Sequence, residues 1–371
     1  MKKIHFVLGD GTYPDHIGGM EIFNYYLIKE LQKDYAISYS AYKRLNFPGP
    51  KLHRCLKVKP TKVSSPIQLF LYLLFHPGRT LIYSYSAAHW LVWYLYTLVA
   101  RILRLDYIVV IHYGKEPPAT HQKVYQNFFQ QAKHVVAVSE NIKKEYDRQF
   151  RINCTTIFPL VPFKKNETPK SELRRRHGIS ADAFAVCMVG TIKEMKNPQT
   201  VVEALAKLPA DIIDRYNPHI VYAGTGPGVN HLKEIITLHG LQERCHLLGF
   251  VPKEKTDEIY ALSDAYVIAS DFEGTSVSLL EAMFNGMPII ASRAPGIIDT
   301  ISENRECLLF TPKKSDELKA QLLTVMTNPS LAEKKGKAAR VHYERDYNFN
   351  EVIKSYMEII NDNPIVNHPD P

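Results

Sequence analysis

Short apolar runs, each followed by a Gly-rich or polar loop and then an amphipathic run, recur along the chain. This alternation constrains the fold more than any other feature, because it is the sequence form of a parallel sheet with crossover helices. In the N-terminal half the strand candidates are residues 4–8, 36–40, 81–85, 107–112 and 134–138, with 155–160 as a last strand. Helices are expected over 19–33, 66–76, 88–103, 119–132 and 140–149. Residues 162–180 are charged and Pro-containing and read as a linker. The pattern restarts at 184–189, with further strands at 219–223, 246–248, 265–270 and 288–292. Helices are expected there over 198–208, 229–239, 253–262, 276–285, 315–327 and 331–342. A periodic apolar stripe after Tyr347 (Val352, Tyr356, Ile359, Ile360) marks a final helix ahead of a frayed tail. The expectation is an α/β protein of two Rossmann-like, doubly wound domains facing a cleft, with domains at 1–163 and 164–345 and a terminal segment at 346–371. Open α/β sheets bind ligands beyond the carboxyl ends of their strands, so the cleft is the expected site.

Composition narrows the function classes. The 371 residues carry a net charge of +8, which favours acidic partners such as nucleotide or lipid phosphates. The five cysteines include no C-x-x-C pair, so no disulfide framework or zinc site is suggested and a reducing cytoplasm is the simplest setting. The first apolar run is interrupted by His5 and stops at Gly9, which reads as a strand rather than a signal peptide. The most apolar stretch, 81–111, is broken by His89, Arg101, Arg104 and Asp106 and reads as strand–helix–strand rather than a membrane span. Gly9-Asp10-Gly11 lacks the third glycine of a dinucleotide fingerprint, so no nicotinamide site is expected.

The segment 264–292 carries the strongest site signal: a strand, a loop containing Glu273-Gly274, a helix opening at Thr275 or Ser276, Gly286 as its C-terminal glycine, and another strand. Gly274 allows close backbone approach to a ligand. The bare N–H groups and about half a positive charge at the helix start suit an anion such as a diphosphate. Glu273 and Glu281 lie eight residues apart, the first on the loop and the second on the helix. Two glutamates at this spacing are, by themselves, an ordinary loop and an ordinary helix residue. The whole string, however, resembles the E-x7-E signature of the retaining glycosyltransferases of family four, which have the GT-B fold. The residues that carry the resemblance are Glu273, Gly274, Leu280, Glu281, Ala282, Gly286 and Pro288.

The resemblance implies an acceptor-binding N-terminal domain, a donor-binding C-terminal domain and further site residues. Gly18-Gly19, opening the first helix, is similar to the family's N-domain glycine loop. His112, at a strand's carboxyl end, takes the place of a family histidine near the transferred sugar. Residues 189–197 resemble the donor-phosphate loop; Lys196 matches its lysine, while Thr191 stands where the family has an arginine, leaving Lys193 either as the second cation or as a solvated surface charge. Val251 falls at the base-binding strand end. Gly224-Thr225-Gly226-Pro227-Gly228 reads as a glycine-rich turn. The catalytic set implied is Glu273, His112 and Lys196. The donor set is Gly18, Gly19, Lys193, Lys196, Val251, Glu273, Gly274, Thr275, Ser276 and Glu281.

The function implied by the resemblance is retaining transfer of a hexosyl group from a nucleotide-diphosphate sugar, UDP-sugar favoured, to a lipid-linked or saccharide acceptor in surface polysaccharide or glycoconjugate assembly. No cofactor or metal is required: no D-x-D stands at a strand end, and lysines can carry the charge. The alternatives are another nucleotide-sugar enzyme of this fold, such as an epimerase, or a non-catalytic membrane- or nucleotide-sugar-binding module. Residues 35–105 contain no Asp or Glu but ten Lys and Arg, most within 43–62, interleaved with aromatic residues. This reads either as attachment to an anionic membrane surface, on the inner face of the cell membrane, or as a solvated basic face over an aromatic core. No nucleic-acid signature accompanies the charge.

Overall fold

The computed structural model describes residues 1–8, 19–41, 66–85, 90–112, 121–159, 161–303 and 305–362. It divides into unit 1, residues 1–162 with 349–371, and unit 2, residues 163–348.

Unit 1 contains the parallel strands β1 (Lys3–Leu8), β2 (Ala36–Ala41), β3 (Arg79–Tyr85), β4 (Tyr107–Ile111), β5 (His134–Ala137) and β6 (Thr155–Thr156). Their order is β2-β1-β3-β4-β5-β6, so the winding direction reverses between β1 and β3. β4 is a continuous apolar run, and β1 and β5 are apolar but for Lys3, His5 and His134; all three are buried along nearly their whole length, as strands covered on both faces must be. Helices Pro66–Phe75, Trp90–Ile102, Gln122–Gln130 and Glu140–Phe150 pack side by side in chain order. Phe128, Phe129, Tyr146 and Phe150 interlock beneath them. Helix Gly19–Leu31 packs against Phe349–Asn361, which buries its Val352, Tyr356, Ile359 and Ile360 stripe. β6 is shorter than expected; Pro159 and Pro162, which lack an N–H for a ladder, follow close behind it. Gly18 and the basic segment 43–62 lie outside the described residues.

Unit 2 contains β7 (Ala185–Val189), β8 (His219–Ala223), β9 (Cys245–Leu247), β10 (Ala265–Ile268), β11 (Ile289–Ser292) and β12 (Leu308–Phe310). The order is β12-β11-β10-β7-β8-β9, all parallel, so this sheet reverses between β7 and β10. Helices Pro198–Ala206, Val229–Leu238 and Ser315–Thr327 form one packed group. Thr256–Leu262 packs with Lys170–Arg176, and Val277–Phe284 with Pro329–Asp346.

The charged segment expected to be a linker is instead structural. Residues Lys170–Arg176 form a helix within unit 2, and Arg174 is buried. Its guanidinium pairs with Asp264 at 2.5 Å and donates to the carbonyls of Leu262 (2.9 Å) and Ala181 (2.7 Å). Asp264 also accepts the Ala185 N–H at 2.7 Å, so the pair ties the helix to the starts of β7 and β10. Arg174→Ala removes a buried guanidinium with three partners and leaves the Asp264 carboxylate only the exposed Lys170 ammonium as its cation. It should cost roughly 3 kcal/mol and lower the unfolding midpoint by roughly 5–10 °C in calorimetry of the full chain; Arg175→Ala, on the exposed side of the same turn, should change it little.

Candidate donor site in unit 2

The reversal between β7 and β10 places two loops side by side beyond the carboxyl ends of adjacent strands, where doubly wound sheets bind ligands. The first runs from Gly190 to Asn197, the second from Ala269 to Ser276. Asn197 stitches them together. It is fully buried in a left-handed conformation, and its amide donates to the carbonyl of Ala269 (3.0 Å) and the carboxylate of Asp271 (2.7 Å). The Asp271 N–H donates in turn to the carbonyl of Met195 at 2.9 Å. Asn197 also precedes Pro198, the first residue of its helix.

On this frame Lys196 and Glu273 form an ion pair across the two loops, and both side chains are mostly buried. Ser270 donates to the same Glu273 oxygen at 2.5 Å. The Glu273 backbone N–H is held by the Pro295 carbonyl at 3.1 Å. Gly296 fixes the loop from below: its φ is +79°, and a Cβ there would lie 2.0 Å from the Glu273 carbonyl oxygen. Lys193 stands half-buried on the turn before Lys196 and has no ion-pair partner among the described residues. Gly224 and Gly226, in the turn after β8, have a packing reason to be glycine. A Cβ at either would strike the backbone oxygens of Gly190 and Ile192, at 1.8 and 2.3 Å.

Helix Val277–Phe284 starts beside Glu273. Ser276 occupies the capping position with extended backbone, but its hydroxyl caps no N–H; it lies 3.1 Å from the Ser278 hydroxyl. The expectation of a serine side-chain cap is thus corrected, and the side chain does not compete with an anion for the first-turn N–H groups. Gly274 and Thr275 form the turn that leads into the helix.

Glu281 points from this helix into a buried polar nest. It pairs with Lys253 and accepts from the hydroxyls of Thr256 (2.7 Å) and Tyr260 (3.0 Å). Lys253 lies just after Val251, in the turn Lys253–Lys255 that follows β9, with its ammonium 4.7 Å from the Phe163 ring centroid. Burial first, and then the Glu281 carboxylate, hold the Tyr260 phenol well above its usual pKa. The buried Tyr266 phenol is raised by burial and by the charges of both Glu273 and Glu281, so the two carboxylates act on one neighbourhood. Lys253 was missed in the sequence, where it stands only as the first residue of the helix expected over 253–262.

In unit 1, His112 follows the last residue of β4. Its ring meets Phe23 edge-on with centroids 4.8 Å apart, and its Nε2 is buried with no hydrogen-bond partner. Burial pulls its pKa down to about 3, so the imidazole is neutral near pH 7. Gly19 is the first residue of its helix.

Residues 169–342 match the sequence model of the family described as "Glycosyl transferases group 1". Over these residues the chain is similar to the group 1 glycosyl transferases. An uncharacterized glycosyltransferase of Methanocaldococcus jannaschii is 22% identical to this chain over 74% of its length and 75% of the relative's. The alpha-D-kanosaminyltransferase of Streptomyces kanamyceticus is 24% identical over 64% of this chain, which spans 65% of that relative. The crystal structure of Anabaena HepE in complex with UDP superposes with a TM-score of 0.81 at 18% identity, covering 98% of this chain and 100% of that one. The fold of this chain is therefore GT-B.

The Lys253–Glu281 pair yields a stability test. Lys253→Met strands the Glu281 carboxylate in a buried site and should cost roughly 3 kcal/mol in denaturant unfolding. Combining it with Glu281→Gln should recover at least about 1 kcal/mol of the summed single losses. Strict additivity would separate the two groups.

Proposed function

We propose that the protein is a retaining hexosyltransferase that takes its sugar from a nucleotide-diphosphate donor, UDP-sugar first among them, and delivers it to a lipid-linked or saccharide acceptor in surface polysaccharide or glycoconjugate assembly. The observation that carries this reading is the Lys196–Glu273 pair beside the uncapped start of helix Val277–Phe284 at the sheet's reversal point. The UDP and UDP-glucose complexes of the HepE structure support the choice of donor.

The chemistry needs negative charge stabilised as the glycosidic bond to the diphosphate breaks. The Lys196 ammonium, the first-turn N–H groups after Ser276 and the Lys193 ammonium supply this, so the reaction requires no metal or other cofactor. A diphosphate drawing Lys196 to itself frees an oxygen of Glu273 to hold sugar hydroxyls beside Gly274 and Thr275. Glu281, oriented by Tyr260 and Thr256, takes the ribose hydroxyls, with Val251 and Lys253 toward the base. The resemblance assigns His112 to the transferred sugar and Gly18 and Gly19 to the diphosphate. The acceptor enters on the face from which the diphosphate leaves, so the anomeric configuration is kept. The setting is cytoplasmic, with attachment to the anionic inner face of the membrane through the basic 43–62 segment.

The test is a panel of nucleotide sugars with lipid-linked and saccharide acceptors, scored for released nucleotide and for the anomeric configuration of the product. Glu273→Gln should reduce kcat by about 10²-fold or more with nucleotide affinity little changed, whereas Glu281→Ala should weaken nucleotide binding about tenfold. Wild-type behaviour of both variants, or an inverted product, contradicts the assignment.

A further inference from the structure

The helices of unit 1 carry a surface that donor chemistry does not use. Among the described residues of unit 1, every exposed large hydrophobic side chain other than Met1 sits on two helices, Pro66–Phe75 and Trp90–Ile102. These helices pack against each other. Leu71, Leu74 and Phe75 form an i, i+3, i+4 stripe on the first, and Tyr94, Leu98 and Ile102 an i, i+4, i+8 stripe on the second. These six side chains are 40–76% exposed. The inward sides are fully used: Leu69 and Leu73, and Tyr96, Val99 and Ala100, are buried in the core. The outward stripes are therefore surplus to folding. An exposed helix face is ordinarily charged; these two helices, of 10 and 13 residues, contain one charged residue, Arg101. In unit 2 the exposed hydrophobics Leu238, Phe250 and Ile298 lie apart in sequence on different segments, and Leu331 and Val341 stand ten residues apart on helix Pro329–Asp346.

The rim of the face has one sign. Arg101 and Arg104 lie at the end of the second helix, and Lys123 is exposed on the neighbouring helix Gln122–Gln130. A shallow groove of about 130 Å³ between these two helices is lined by Tyr94, Leu98, Arg101 and Lys123, among others, bringing two cations beside aromatic and aliphatic surface. The nearby acid, Asp106, is neutralised by Lys133 at 2.8 Å. No helix among the described residues is long and apolar enough to cross a membrane. Apolar side chains outward, cations at the edge and an aromatic at the boundary are what an interfacial helix presents to lipid acyl chains and phosphate headgroups.

We propose that the outward face of helices Pro66–Phe75 and Trp90–Ile102 is a bilayer-docking surface that inserts Leu71, Leu74, Phe75 and Leu98 into an anionic phospholipid leaflet while Arg101 and Lys123 hold its phosphates. This surface is built from residues other than those of the basic 43–62 segment and the donor site. It operates whether the acceptor is lipid-linked or a free saccharide, so its failure leaves the glycosyl-transfer reading intact, and the reverse also holds.

The experiment is flotation of the full chain with vesicles of neutral phospholipid, with and without a quarter of anionic phospholipid. Wild type should bind the anionic vesicles. Leu71→Ser/Leu74→Ser/Phe75→Ser, with wild-type circular dichroism and melting, should bind them at least about tenfold more weakly. Arg101→Gln/Lys123→Gln should lose roughly fivefold per charge at low salt and nothing at high salt. The proposal is overturned if wild type ignores anionic vesicles, if the triple variant binds as wild type does, or if the triple variant changes only the sedimentation mass, which would assign the face to a second copy of the chain.

Discussion

The ion pair between Lys196 and Glu273 is the interaction on which the proposed donor site depends. It spans the two loops that the strand order forces together, and it sets a cation and an anion beside a helix start whose N–H groups the Ser276 hydroxyl leaves alone. Neither charge is costly to keep half-buried while the other is present; either alone would be. A ligand bringing its own negative charge can exchange partners with this pair without leaving a charge stranded. The Asn197 bridge and the close approach of Gly296 hold the exchange geometry fixed.

Glu281 obeys the same electrostatic rule at a different depth. It is sunk further, and it is met by an ammonium and two hydroxyls rather than by one partner and one serine. A carboxylate so fully oriented is suited to reading a fixed set of hydroxyls, while the less encumbered Glu273 is suited to responding as a bond breaks. The assignment of ribose to one and sugar to the other rests on this difference in constraint.

Much of the fold was legible because most strands are apolar runs bounded by Gly, Pro or Asp, and most helices have a strong apolar stripe. The elements that were not legible share a physical cause. Lys170–Arg176 is rich in basic residues, and nothing local reveals that Arg174 turns inward to an aspartate ninety residues away. Ala210–Tyr216 is a short helix with no fully buried side chain, so it lacks a periodic signal. β12 is three residues long, too short for alternation to be counted. In the site, Glu273, Glu281 and Lys196 stood in a recognisable string, whereas Lys253 could be recognised only once the fold had laid its turn against Glu281. The serine at position 276 invited a capping role that its hydroxyl does not take.

The donor site as described requires Lys196 to serve the diphosphate rather than only to pair with Glu273. Titration calorimetry of UDP and of uridine against wild type and Lys196→Met separates the two roles. The variant should lose at least about tenfold in UDP affinity, and the wild-type preference for UDP over uridine should shrink by the same factor. Lys207→Met, at a lysine paired to Asp316 away from these loops, should change neither. An unchanged UDP affinity in Lys196→Met would contradict this role for Lys196.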